Sequence, residues 1–328
     1  MKPRVHVITT GGTVACAPAE SLRSTGYHDA VFDAKALLAP LCGIEEKITI
    51  TTEEIFRVGS RRITDENLLA LSKRVNQVLS REDVDGVVIT HGTDTMEETA
   101  FFLNLTVKSE KPVILTGSMR PTGAISADGP GNLLCALLAA SSQEARGKGV
   151  MIAFADHLWP ARDVRKVSTY HTDAFQCSEG GALGTVVDKA RFYYTPCRPH
   201  TASSGFDLIH VKTLPKVEIF FGKIAEDERA LKIILESGFD GVVIAGVGNG
   251  NLTSGMKNLL SPTKGRPFVV RSSRTMSGPI SQSGSLSDQE MELIPGGSFS
   301  PQKARILLQI ALTKTKNYRE ICDIFDRY

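Results

Sequence analysis

Seven short apolar runs recur along the chain, each rich in β-branched residues and each ending in glycine or small polar residues: "RVHVITTGG", "DGVVITHGT", "KPVILTGSM", "GVMIAFAD", "KVEIFFG", "DGVVIAGVGNGN" and "PFVVRSS". They are continuous rather than alternating, as expected of strands covered on both faces. Helical patterns follow them, and that alternation predicts βα units and mainly parallel sheets. Thr95 and Glu98 have the spacing of a capping box, which predicts a helix starting near Met96. Ser300 as N-cap and Pro301 at the first helical position predict a late helix over "SPQKARILLQIALTKT". The stretch 196–215, "PCRPHTASSGFDLIHVKTLP", is rich in Pro, Ser and Gly without periodicity and reads as a linker. The expected domains are therefore 1–195 and 216–328. Residues 15–30, "ACAPAESLRSTGYHDA", fit either a flap carrying Tyr27 or an irregular surface loop.

Composition narrows the partners. A chain of 328 residues with 41% hydrophobic and 23% charged content has room for two cored domains. A net charge of +2, with no basic run interleaved with aromatics and no long apolar segment, argues against nucleic-acid and membrane partners. The six cysteines show no CxxC pair and no metal-ligand spacing. The amino terminus, "MKPRVHVITTGGT", enters a strand without an apolar signal region. Unpaired thiols and that start predict a cytoplasmic protein, or a periplasmic one from which a signal was removed.

The candidate chemistry lies where apolar runs end. In "VVITHGTDTMEET", Thr93 and Asp94 fall at the carboxyl end of a predicted strand and beside a helix amino terminus, where ligands bind in open α/β sheets. In "TTGGT", Gly11 and Gly12 allow close backbone approach to a ligand and leave the Thr13 hydroxyl exposed. The GxGxxG needed for a dinucleotide is absent from this turn. By its charges alone "ARDVRKVST", with Lys166, reads as a solvated face.

Taken together, "TGGT", "HGTDTMEET", "ILTGSMRP", "SADGPGNL", "ARDVRK" and "AGVGNGN" resemble the bacterial-type L-asparaginases, the asparaginase–glutaminase amidohydrolases, over nearly the whole chain. The resemblance implies a larger amino-terminal doubly wound α/β domain, a smaller carboxyl-terminal α/β domain, and no metal or organic cofactor. It implies hydrolysis of the side-chain amide of L-asparagine, with L-glutamine as the rival substrate. A non-catalytic amino-acid sensor on the same fold is the rival of another class. Thr93, Asp94 and Lys166 would form one catalytic triad, and Thr13 with Tyr27 most of a second. A threonine hydroxyl is a poor nucleophile until a neighbour takes its proton, and Lys166 can do so only as the free amine. The family assigns the nucleophile to either threonine, and the sequence does not choose. Ser60 and Asp94 match positions gripping the substrate's α-carboxylate and α-ammonium. Asn251 matches a residue reaching into a neighbouring subunit's site; an ordinary strand-to-helix turn is its alternative. That sharing implies an intimate dimer, typically doubled into a homotetramer.

Two positions depart from the family. The glutamine that often follows Ser60 and contacts the α-ammonium is Arg61 here, and gapless counting places Ser285 where an acid would face the same group. Two like charges at about 4 Å repel by roughly 4 kcal/mol at an effective dielectric of about 20, enough to weaken ammonium binding. Alternatively Arg61 turns to solvent and Asp288 or Glu290 fills the gap.

Overall fold

Parallel strands form the centre of both halves of the molecule. In the computed structural model, residues 2–18, 27–28, 32–261, 265–281 and 287–328 are described, without the side chains of 18, 27 and 28. Two compact units divide the chain, Met1–His210 and Val211–Tyr328. All seven apolar runs contain strands, from Arg4–Thr9 through Phe268–Ser273.

The first unit is built on an eight-stranded sheet. Its parallel part comprises Thr49–Glu54, Arg4–Thr9, Gly86–Thr90, Val113–Thr116 and Val150–Phe154, in that spatial order. Numbered along the chain this is 2-1-3-4-5, so the direction of winding reverses between Arg4–Thr9 and Gly86–Thr90. A crevice opens beyond the carboxyl ends of strands at such a reversal. Three antiparallel strands, His157–Pro160, Gly184–Val187 and Lys189–Phe192, extend the far edge.

Strand pleating sorts the core into two layers. Val87, Ile89, Val113 and Leu115 meet the helices Asp65–Leu79 and Met96–Thr106 through Leu71, Val75, Ala100 and Leu103. Val88 and Ile114 meet Leu133, Ala136 and Leu137 of the helix Gly129–Ala140 on the opposite face. The first unit is thus doubly wound, with a mainly parallel sheet. From the expected linker, Ser204 Oγ donates to Leu105 O and Lys108 Nζ to Ser204 O at 2.6 Å, so the chain near 204 is held on this unit.

The second unit has four parallel strands in chain order, Val217–Phe221, Gly241–Gly246, Phe268–Ser273 and Leu293–Pro295. The helix Pro301–Lys314 has Ser300 as N-cap, its side chain accepting from Lys303 N. Among the described residues of this unit, Arg271 is the largest fully buried side chain, and its charge is matched. Nε and Nη2 each lie 2.6 Å from the carboxylate of buried Asp288, while Nη1 and Nη2 donate to Asn249 O and Ser281 O.

Candidate active site

Thr13, Ser60, Arg61, Thr93 and Asp94 all come from turns following parallel strands, whereas Lys166 lies within a short strand. After Arg4–Thr9, Gly11 and Gly12 lead into the single helical turn Thr13–Ala15. Gly12 has φ +87°, and a Cβ there would sit 2.4 Å from Gly92 N. The close backbone approach at Gly12 is made to Gly92, and Gly12 itself also lines the cleft. The approach presses the Thr13 turn onto the turn carrying Thr93.

After Gly86–Thr90, the chain passes through His91, Gly92, Thr93 and Asp94 into the helix Met96–Thr106. The expected capping box does not form. Thr95 is the N-cap residue, but its side chain caps no helix amide. Its hydroxyl instead donates 3.0 Å to Ser60 O, because the turn after Thr49–Glu54 packs beside it. The nearby helix amino terminus supplies positive dipole character beside Thr93 and Asp94.

Lys166 arrives from a ribbon that the sequence pattern does not reveal. Val164–Lys166 pairs antiparallel with Phe175–Cys177, with Val164 and Phe175 buried below it. Lys166 Nζ donates to Thr93 Oγ1 at 2.9 Å and to Asp94 Oδ1 at 2.8 Å. Thr93 is buried, the Lys166 side chain is 16% exposed and that of Asp94 60% exposed, so the amine sits between core and solvent. Glu97, absent from the sequence candidates, fixes this ribbon: its buried carboxylate accepts from Lys166 N. A first-turn acid in "TDTMEET" was the available signal, attached to Glu98 instead.

Thr13, Ser60, Arg61, Thr93 and Asp94 line one cleft of about 230 Å³, together with Arg57 and Arg62. Ser60 is buried and Arg61 exposed. Lys166 meets the cleft through Thr93 and Asp94. The Tyr27 side chain and Ser285 lie outside the described residues. Asn251 belongs to the second unit, where its N–H donates to Val247 O at 2.8 Å and closes the "VGNGN" turn. Gly250 has φ +68°, and a Cβ there would meet Ser272 O at 2.9 Å and the Arg271 guanidinium at 3.2 Å.

Below the cleft, His91 is completely buried. Its Nδ1–H donates to Gly92 O at 2.7 Å, and Nε2 has no hydrogen-bond partner among the described residues. Burial lowers its pKa to about 4. The "SADGPGNL" motif serves as scaffold. Asp128 accepts from Met119 N and Arg120 N, and Asn132 bridges Gly117 O and Ala155 N.

A buried threonine bonded to a lysine that a carboxylate orients, in a crevice at a sheet reversal, defines a hydrolase-type site. The family model "Asparaginase, N-terminal" matches residues 4–198, and "Glutaminase/Asparaginase C-terminal domain" matches 216–325. The chain is 40% identical over 327 residues to L-asparaginase 2 of Bacillus subtilis, covering 99% of this chain and 87% of that one. It is 40% identical to the glutaminase-asparaginase of Acinetobacter glutaminasificans, with 100% of each covered. The crystal structure of a probable cytoplasmic L-asparaginase from Campylobacter jejuni superposes with a TM-score of 0.94 at 40% identity, covering 100% of each chain. The chain belongs to the asparaginase family of amidohydrolases.

Proposed function

We propose that the protein hydrolyses the side-chain amide of L-asparagine to L-aspartate and ammonia through an activated threonine hydroxyl. The contact of Lys166 Nζ with both Thr93 Oγ1 and Asp94 Oδ1 carries this reading. In the reacting form Lys166 is the free amine and the hydrogen bond reverses, so that Thr93 donates. Lys166 then accepts the Thr93 proton as the oxygen attacks, and Asp94 stabilises the ammonium that results. If Thr13 carries the acyl group, the same unit activates the water that releases it. The amino end of the helix Met96–Thr106 favours the developing oxyanion. The leaving nitrogen takes a proton and departs as ammonia; water then cleaves the ester to aspartate.

Ser60 and Asp94 would hold the α-carboxylate and α-ammonium, Tyr27 would close over the substrate, and Asn251 would complete a neighbouring subunit's site. That sharing makes a homodimer the working unit, doubled into a tetramer. Reduced thiols suit the cytoplasm; none of the six cysteines forms a disulfide, and no described helix is long and apolar enough to cross a membrane. Ammonia release from L-asparagine and L-glutamine, followed in parallel, tests the reading. L-Asparagine should have the higher kcat/KM, although a single methylene gives only about 1–3 kcal/mol of discrimination. Lys166→Met should lower kcat by several orders of magnitude. No ammonia from either amide with well-folded protein would leave a sensor as the better description.

A further inference from the structure

The charges around the cleft are unequal. Arg57, Arg61 and Arg62 line it, whereas Asp94 is its only carboxylate among the described lining residues. Asp94 is already bridged by Lys166 at 2.8 Å. Arg57 is ion-paired with Glu54 at 2.7 Å, and Arg62 is engaged as well. Arg61 has no hydrogen bond or ion pair among the described residues, and it is exposed within one residue of Ser60. An uncompensated guanidinium beside the reacting threonines attracts a carboxylate and repels an ammonium. An amino-acid amide brings both groups. An ω-monoamide of a plain dicarboxylic acid brings only the carboxylate.

We infer that Arg61 sets the substrate class of this cleft, admitting ω-monoamides of dicarboxylic acids that lack an α-ammonium, of which succinamate is the simplest. This rests on the amidohydrolase reading above. The step is the same: the amide C–N bond breaks, a C–O bond to the water oxygen forms, and the nitrogen leaves as ammonia with a proton from that water. The products are succinate and ammonia. The guanidinium touches the substrate's carboxylate end, and the Thr93–Lys166 unit works as before on the amide.

The test is the ratio of kcat/KM for succinamate over L-asparagine in the parent, Arg61→Gln and Arg61→Lys. Arg61→Gln should lower the ratio at least tenfold, about 1.4 kcal/mol of changed discrimination. Most of the change should lie in KM, since the proton-transfer groups are untouched. Arg61→Lys keeps the charge and should hold the parental ratio to within about threefold, less than 0.7 kcal/mol. An unchanged ratio in Arg61→Gln overturns the inference. Calorimetric titration with succinate and with L-aspartate supplies a readout without turnover, and Arg61→Gln should shift the binding preference toward L-aspartate by a similar factor. A shift in binding without hydrolysis of either amide would uphold the role of Arg61 and defeat the amidohydrolase reading. Hydrolysis with no shift in either ratio would do the reverse.

Discussion

At the scale of single residues, the site joins groups whose surroundings differ sharply within a few ångströms. Lys166 reaches a buried hydroxyl and a solvent-facing carboxylate at once, the arrangement required by the proposed transfer of the Thr93 proton to an amine whose charge Asp94 balances. His91, two residues before Thr93, is walled off and kept neutral because burial opposes its charged form, with its pKa lowered from 6.5 to about 4. The unfolded chain therefore binds a proton at His91 that the folded one refuses between those values, and folding stability falls as the pH drops through that window. The separation corresponds to about 3 kcal/mol. His91→Asn keeps an N–H donor for Gly92 O and removes the titration. Its stability, followed by denaturant midpoint from pH 7 to 4, should decline by about 3 kcal/mol less than the parent's. Parallel curves would mean His91 is not protected from protons.

At the scale of elements, Thr13, Ser60, Thr93 and Asp94 of the candidate site fall on turns that follow parallel strands, and this explains what the sequence made legible. Continuous runs such as Val87–Ile89 are buried on both faces, so their composition alone signals a strand, and the polar residues after them mark the crevice. Thr49–Glu54 escaped because it is an edge strand of largely exposed Thr and Glu, specified by its pairing with Arg4–Thr9. Val164–Lys166 escaped because three residues carry no period; the burial of Val164 and the pairing with Phe175–Cys177 make it a strand. Thr95 misled because a capping hydroxyl can also serve a tertiary partner, here Ser60 O. In the second unit the "VGNGN" turn rests on Arg271, which donates to Asn249 O and Ser281 O and is ion-paired with buried Asp288. Arg271→Met would leave Asp288 as an unpaired buried charge, a loss of about 3–5 kcal/mol. A thermal melt should show it, and a melting point within error of the parent's would mean that water reaches Asp288 in the native state.

At the scale of the whole molecule, two units are present, and the first alone carries Thr13, Ser60, Thr93, Asp94 and Lys166. The proposed sharing of Asn251 between subunits has a direct consequence for mixed assemblies. Chains with Thr93→Ala and chains with Asn251→Ala, each weak alone, should regain part of the parental activity when refolded together, since one site of a mixed dimer holds both intact residues. Activity equal to the average of the separate variants would place Asn251 in its own subunit's site or outside any. The central claim is that Thr93 and Lys166 act as one proton-transfer unit, and groups that act as one cannot be lost twice. A double-mutant cycle on single-turnover ammonia release from L-asparagine measures this most directly. Thr93→Ala and Lys166→Met should each lose several orders of magnitude with the fold intact, and the double variant should be no worse than the weaker single. A double variant slower by the product of the two single losses would contradict the account.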